Sequence, residues 1–252
     1  FYLACPVMAR PNSTDLELFE RGILVRLSNV DAGYGAATVL LGIDFEVRAG
    51  EVALVTGPAA AGKTTLTHLL RLALEPRSGR AVIMGVDVAR ASGRQRAEVK
   101  RRIGYVAENP VFIEHWTAYD NIAMPLRMSG LKAKDYANDV RELVDFVGIS
   151  EAADLPIEKL SGAERRRAAI ARALANKPHL ILADDPTAGM SPADGRRVVR
   201  LLAEMRRVGA GVVIASQDEG LAECAPMMRY RIDRGRLTQI DHAAPEEAEA
   251  HE

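Results

Sequence analysis

The chain has 252 residues, 48% of them hydrophobic, with 33 basic side chains against 34 acidic ones and a formal net charge of −1. That length and apolar content suffice to bury a full core, as one large α/β domain or a core with a subdomain. The near-neutral balance argues against a polyanion-binding surface, so neither nucleic acid nor direct attachment to acidic lipid is favoured.

The longest uncharged stretch, residues 32–43, is 12 residues and contains glycine, too short to span a bilayer. Any membrane role must therefore come through a partner. The two cysteines, Cys5 and Cys224, lie far apart and match no metal or CxxC spacing, which suits a reducing compartment.

Residues 1–15 look poorly structured, and 1–19 is expected to be a flexible N-terminal segment. The opening FYLACPV lacks a basic region and is too short for a secretory signal, while Met8 offers an alternative start. A β-type run covers 23–30, turn residues follow at 31–35, and a second run covers 39–47, with Gly50 closing a hairpin. Tyr34 is expected in that first turn. A lone turn tyrosine is most often a surface residue, but its place just upstream of the next motif raises stacking on a base.

That motif is the stretch VALVTGPAAAGKTTL at 52–66. An apolar β-prone run enters Gly57, Pro58, Ala59, Ala60, Ala61, Gly62, Lys63 and Thr64, which fill every slot of the phosphate-binding pattern GxxxxGK[ST]. Small side chains let backbone N–H groups face phosphates, and the helix beginning near Gly62 adds its positive end. Lys63 supplies a point charge to the terminal phosphates, and the Thr64 hydroxyl takes one magnesium position.

The helix after the loop is expected over 62–74, ended by Pro76 and Gly79, then a short strand at 81–84 and a basic helix near 94–102. A strand at 103–106 leads to Glu108, whose strand-end position puts it on the side of the phosphate loop. From about 110 to 165 the pattern becomes helical, with apolar periodicity at 117–128 and 136–147, and reads as a helical insertion. Ser161 and Glu164 have capping-box spacing at the start of a helix over 165–175. Residues 180–185, LILADD, form an apolar strand ending in Asp184 and Asp185, the pattern in which the first acid of a phosphate-loop ATPase organises magnesium. A strand at 212–215 precedes Ser216, Gln217 and Asp218, and runs at 228–232 and 236–240 suit a closing hairpin. The tail 241–252 has five acids and no Lys or Arg, and is expected to be disordered.

Taken together, the phosphate loop, the Glu108 turn, LSGAE at 160–164, ILADDPT at 181–187 and ASQD at 215–218 resemble an ATP-binding cassette (ABC) ATPase over nearly all of 20–240. The stretches TAYDNIAMPL, PIEKLSGAERRR and IARALANKPHLILADDPT resemble the FtsE family of cell-division ATPases, which pair with the membrane protein FtsX. Lipoprotein-releasing and macrolide-exporter ATPases share much of this pattern. The resemblance implies an α/β fold with a RecA-like P-loop core, an antiparallel β subdomain and an inserted α-helical subdomain.

It also implies roles for particular residues. Tyr34 would stack on adenine, and Gly57 through Thr65 would bind the triphosphate of ATP with magnesium, Asp184 supporting the metal and Glu108 near it. Ser161 and Gly162, with Ala163 and Glu164, would reach nucleotide held by a second subunit, so ATP would join a head-to-tail homodimer. Asp185, Gln217 and Glu108 would serve hydrolysis. The helical insertion would receive an FtsX-like integral membrane protein, and the protein would sit on the cytoplasmic face of the membrane and act indirectly on cell-wall hydrolases. A transport ATPase and an ATP-gated scaffold are the alternatives.

The departures cluster at hydrolysis-coupling positions: Asp185 where the family usually has Glu, Glu108 for Gln, Gln217 for His, Ser191 for Asp, and Ala60 and Ala163 for Gly. Binding is thus better supported than turnover, since a carboxylate withdrawn by about 1.5 Å from its water loses on the order of a hundredfold in rate.

Overall fold

Two sheets carry the fold in the computed structural model, which describes residues 13–240. The expected flexibility of 1–12 and disorder of 241–252 concern stretches outside the described residues. Residues 13–19 depart from expectation, because helix α1 (Ser13–Glu20) is formed. Asp15 in it is buried, and its Oδ1 accepts from Arg80 Nη2 at 2.6 Å. A tie to a partner 65 residues away leaves no local pattern to read.

Strands β1 (Ile23–Tyr34) and β2 (Ala37–Arg48) form a hairpin longer than expected, with Gly35 and Ala36 as its turn. Tyr34 is therefore the last residue of β1, paired with Ala37, and not a turn residue. Asp31 resembles a turn former, but its Oδ1 accepts from the Gly42 N–H across the hairpin at 2.7 Å. Register shifts on either side of Val30 break the alternation that would have marked a continuous strand.

Strand β3 (Val52–Thr56) has all five residues buried, as a central strand covered on both faces requires. Helix α2 (Lys63–Leu70) ends four residues earlier than its apolar spacing suggests. Leu72 takes a left-handed φ of 58°, and the His68 carbonyl accepts from the Ala73 and Leu74 N–H groups, so the chain turns to bury Leu72. Strands β4 (Ser78–Ile83) and β5 (Val86–Asp87) complete a four-stranded antiparallel sheet in the order β2-β1-β4-β5.

Helix α3 (Gly93–Arg101) leads to β6 (Ile103–Val106). The helical stretch then supplies α4 (Ala118–Met128), capped by the Thr117 hydroxyl, α5 (Ala133–Val147) and α6 (Gly162–Leu174). After these come β7 (Leu180–Asp184), α7 (Pro192–Glu204), β8 (Gly211–Ser216), β9 (Met228–Asp233) and β10 (Arg236–Ile240). The second sheet runs β10-β9-β3-β8-β7-β6, with every neighbouring pair parallel except β10 against β9.

Period-two alternation divides the core between the two faces of this sheet. Val52, Leu54, Ile181, Ala183, Val212 and Ile214 pack with α4 to α7, whereas Ala53, Val55, Leu180, Leu182 and Val213 pack with α2 and the antiparallel sheet. Among the described residues no helix is long and apolar enough to cross a membrane.

Candidate functional site

Because β3, β6, β7 and β8 are parallel, their C-terminal ends open on one edge, where ligands of open α/β sheets bind. Those ends bring together the loop at 57–62, the turn at Glu108, Asp184 with Asp185, and Ser216 with Gln217. A cavity of about 620 Å³, lined by Phe19, Leu24, Phe146, Leu174 and Val208 among others, lies at the opposite edge, where β7 and β8 begin.

The phosphate loop leaves β3 at Gly57, where a Cβ would lie 2.1 Å from the Ile232 carbonyl oxygen, so only glycine fits against β9. Pro58, Ala59 and Ala60 are exposed, while Ala61, Gly62 and Thr65 are buried. Ala60 has φ 60°, a left-handed conformation that costs a residue with a Cβ about 1–2 kcal/mol. Gly62, at φ 114°, is the N-cap of α2 and offers no side chain to its N–H groups. A helix start left uncapped in this way presents donors and a positive dipole end to an anion.

Lys63 is buried, not solvated as the lysine of an open loop would be. Its Nζ donates to the carbonyl oxygens of Gly57 and Pro58, each at 2.7 Å, and so braces the loop from within. Burial lowers its pKa, opposed by the charges of Asp185, Asp184 and Glu108. Three carboxylates thus act on one ammonium, which ties the separate strand ends into one electrostatic unit.

Asp184 is 3% exposed. Its Oδ1 accepts from Thr64 Oγ1 at 3.2 Å, and its Oδ2 from Thr67 Oγ1 at 3.3 Å and from Tyr105 at 3.4 Å. The Thr64 hydroxyl and the Asp184 carboxylate are hard oxygen donors beside the loop, and Thr64 is exposed. They fit a magnesium ion that is completed by phosphate and water and needs no all-protein cage. No cluster of three or more His, Cys, Asp or Glu with metal spacing occurs among the described residues.

Asp185 has a left-handed φ of 41°, its N–H donates to the Ala215 carbonyl at 2.8 Å, and its Oδ1 accepts from Ser216 Oγ at 3.3 Å. The short carboxylate is therefore drawn toward the end of β8. Gln217 and Glu108 are exposed at their strand ends. Ser191 caps α7 by accepting from the Asp194 N–H.

Tyr34 is 46% exposed, and its hydroxyl hydrogen-bonds His68 Nδ1 at 2.7 Å. Arg77 braces the hairpin turn beyond it, donating to the carbonyls of Ala36 and Gly35 and to Thr38 Oγ1. At α6 the capping box is formed: Glu164 Oε2 accepts from the Ser161 N–H at 2.8 Å and the Ser161 hydroxyl at 2.6 Å. Those bonds lower the Glu164 pKa. Ser161 and Gly162 are exposed, with Ala163 half-buried, and no hydrogen bond or ion pair among the described residues joins this helix start to the phosphate loop.

Sequence reasoning missed Thr67, His68, Arg77, Tyr105 and Arg166. Thr67 sits one turn after Lys63 on α2, so helical spacing pointed to it once Asp184 was known to face that helix. Tyr105 reaches Asp184 only because β6 pairs with β7 in a register that puts Tyr105 opposite Leu182.

The fold and this edge define a nucleotide-binding cassette, and the ABC transporter family model matches residues 40–188, more than half of the chain. The chain belongs to the ABC transporter ATP-binding family. It is 36% identical over 216 residues to the cell division ATP-binding protein FtsE of Escherichia coli, covering 85% of this chain and 97% of that protein. It is 32% identical over 212 residues to the lipoprotein-releasing system ATP-binding protein LolD of Bacteroides thetaiotaomicron, covering 83% and 97%. Among solved structures, a dimeric ATP-binding cassette in a post-hydrolysis state bound to ADP and Pi superposes with a TM-score of 0.78 at 24% identity, over 86% of this chain and 99% of that one. A cassette from Clostridium perfringens, part of the complex cbiONQ, gives 0.77 at 24% identity, over 86% and 87%.

Proposed function

We propose that the chain is the ATP-binding subunit of an ABC complex of the cell-division type, with residues 20–240 as its ATPase domain. In this reading it binds ATP with magnesium, closes into a head-to-tail homodimer, hydrolyses ATP slowly, and so drives an FtsX-like integral membrane protein that controls wall remodelling. The observation that carries its ATP-binding part is the arrangement at the phosphate loop, an uncapped helix start, Lys63 braced against the loop and Thr64 with Asp184 at 3.2 Å, and the 36% identity to FtsE supports the cell-division part.

Thr64 and Asp184 would hold magnesium, with Glu108 beside them, and the bound ion would neutralise charge on phosphate oxygens. Backbone N–H groups of 59–65 orient the phosphates, and Tyr34 offers a ring face to adenine. Asp185 accepts a proton from the attacking water, and Gln217 donates a hydrogen bond near the terminal phosphate. Ser161, with Gly162, Ala163 and Glu164 behind it, meets the partner copy's nucleotide.

Val111, Ile113, Met128 and Leu131 are large apolar side chains exposed on the helical stretch and the segment after Glu108. They support a surface that receives a cytoplasmic element of a membrane partner. The LolD resemblance favours a second reading, in which the partner belongs to a lipoprotein-release complex.

Photo-crosslinkers placed at Val111 and Ile113 in the native cell test this. An adduct with a polytopic division protein is expected. An adduct with a lipoprotein-release permease selects the second reading, and adducts with no membrane protein at either position overturn both.

A further inference from the structure

Helix α6 carries a run of three arginines at 165–167, and the first two have side chains that do different things. Arg165 serves its own end of the helix, donating from Nε to the Leu160 carbonyl at 3.3 Å and from Nη2 to the Glu158 carbonyl at 2.8 Å. Arg166 reaches away from the helix altogether. Its Nη1 donates to the carbonyl of Ala107 at 3.2 Å and to that of Glu108, and its Nη2 donates to the carbonyl of Ala188 at 3.2 Å. One guanidinium therefore holds the turn that follows β6 and the loop that follows Asp185, while anchored one turn behind Gly162.

We infer that Arg166 is a positioning residue that locks the Glu108 turn and the loop after Asp185 to the helix start at Ser161, so that the three segments respond to nucleotide as a unit. This rests on the ATP-subunit reading. The planar fork is what the geometry requires, because it presents several donors at fixed angles to carbonyls on different segments. A lysine in its place is a single point donor on a flexible stem, and glutamine has one short amide.

Charge adds to geometry. The guanidinium is half-buried, and burial lowers its pKa while the carboxylates of Asp185 and Glu108 oppose the shift. An arginine so flanked stays cationic across the working pH range. It supplies a fixed positive charge that acts on the two acids standing where the family usually has Glu and Gln. The accepting carbonyls sit on irregular segments, at strand and helix ends, whose conformation is otherwise set by few backbone hydrogen bonds. Removing their donor loosens those segments without unmaking a core.

The test compares the full-length parent with Arg166→Gln and Arg166→Lys. Hydrogen exchange is followed without nucleotide in peptides covering 107–113 and 186–190, with α5 as the internal reference. Exchange in both loops of Arg166→Gln should rise by about tenfold, with α5 unchanged. Steady-state hydrolysis should show kcat lowered by about tenfold with the affinity for ATP within about threefold of the parent, and Arg166→Lys should recover less than half of either loss. Unchanged exchange in either loop overturns the inference, as does a rise in α5 in step with the loops, or full recovery with lysine. A parent that fails to bind ATP would sink the functional reading alone, since the exchange measurement still decides whether Arg166 joins the two loops.

Discussion

Lys63 braces the phosphate loop from within, and in the proposed reading the same side chain meets the phosphates. The residue is 9% exposed and its ammonium satisfies two carbonyls of the phosphate loop, so Lys63→Ala removes more than a charge for phosphate. Charge-assisted bonds stabilise, but the cost of burying an ammonium offsets most of that gain, leaving a net of about 1 kcal/mol. For a domain of this size the nucleotide-free variant should melt about 2–4 °C below the parent. The stabilisation that ATP confers should disappear altogether, because a ligand raises the melting point only as far as it binds the folded state. Thermal unfolding with and without ATP checks both effects, and a variant stabilised by ATP as much as the parent would remove the basis of the reading.

At the scale of elements, the ends of β6, β7 and β8 hold three of the six departures at hydrolysis-coupling positions, Glu108, Asp185 and Gln217. Asp185 is drawn to Ser216, and Gln217 stands exposed beside it, so the strand ends place a carboxylate and an amide where family resemblance leads one to expect a longer carboxylate and an imidazole. Restoring both, as Asp185→Glu with Gln217→His, extends the base by one methylene and allows a positive charge near the terminal phosphate. The steady-state rate should rise by roughly tenfold with little change in ATP affinity, the pattern of interactions made mainly in the transition state. Glu108 is a carboxylate at the third strand end and bears on the metal's position, so the pair is measured with Glu108 and with Glu108→Gln. No acceleration in either background would mean that Asp185, in its present geometry, already serves as well as glutamate.

For the whole molecule, no hydrogen bond or ion pair among the described residues joins the helix start at Ser161 to the phosphate loop, and in the proposed reading a second copy completes the site. ATP, and not ADP, should drive dimerisation, because only the γ-phosphate extends to a helix start across the interface. Glu164 modulates this. Its carboxylate occupies both donors of Ser161 and is held ionised by them, since its pKa is lowered. The capping it provides is fully present above the ordinary carboxylate range and is lost as pH falls through the lowered value. Near neutrality it presents a negative charge to an approaching phosphate. Glu164→Gln keeps a capping-box residue and removes that charge, so dimerisation should need about two- to fivefold less ATP. Sedimentation velocity with each nucleotide reads the outcome, and equal monomer fractions in ATP and ADP would end the head-to-tail proposal.

The amino-acid sequence by itself determined the phosphate loop, the strand order of chemistry along the chain, the helical character of the stretch between β6 and β7, and the capping of α6. These are local: Gly57 to Thr64 is a contiguous pattern, β3 and β7 are runs buried on both faces, and Ser161 with Glu164 is a spacing of three. What escaped it depends on contacts between distant segments. Helix α1 is fastened through Asp15 to Arg80, the β1 turn is displaced by Asp31 bonding Gly42 across the hairpin, and Lys63 is buried by a loop that folds over it. Only the tertiary structure decided that Thr67 and Tyr105 converge on Asp184 and that Arg166 spans two loops. Strand register and helix docking bring such groups within bonding distance, and no periodicity of 2.0 or 3.6 residues encodes which distant segment a side chain will meet.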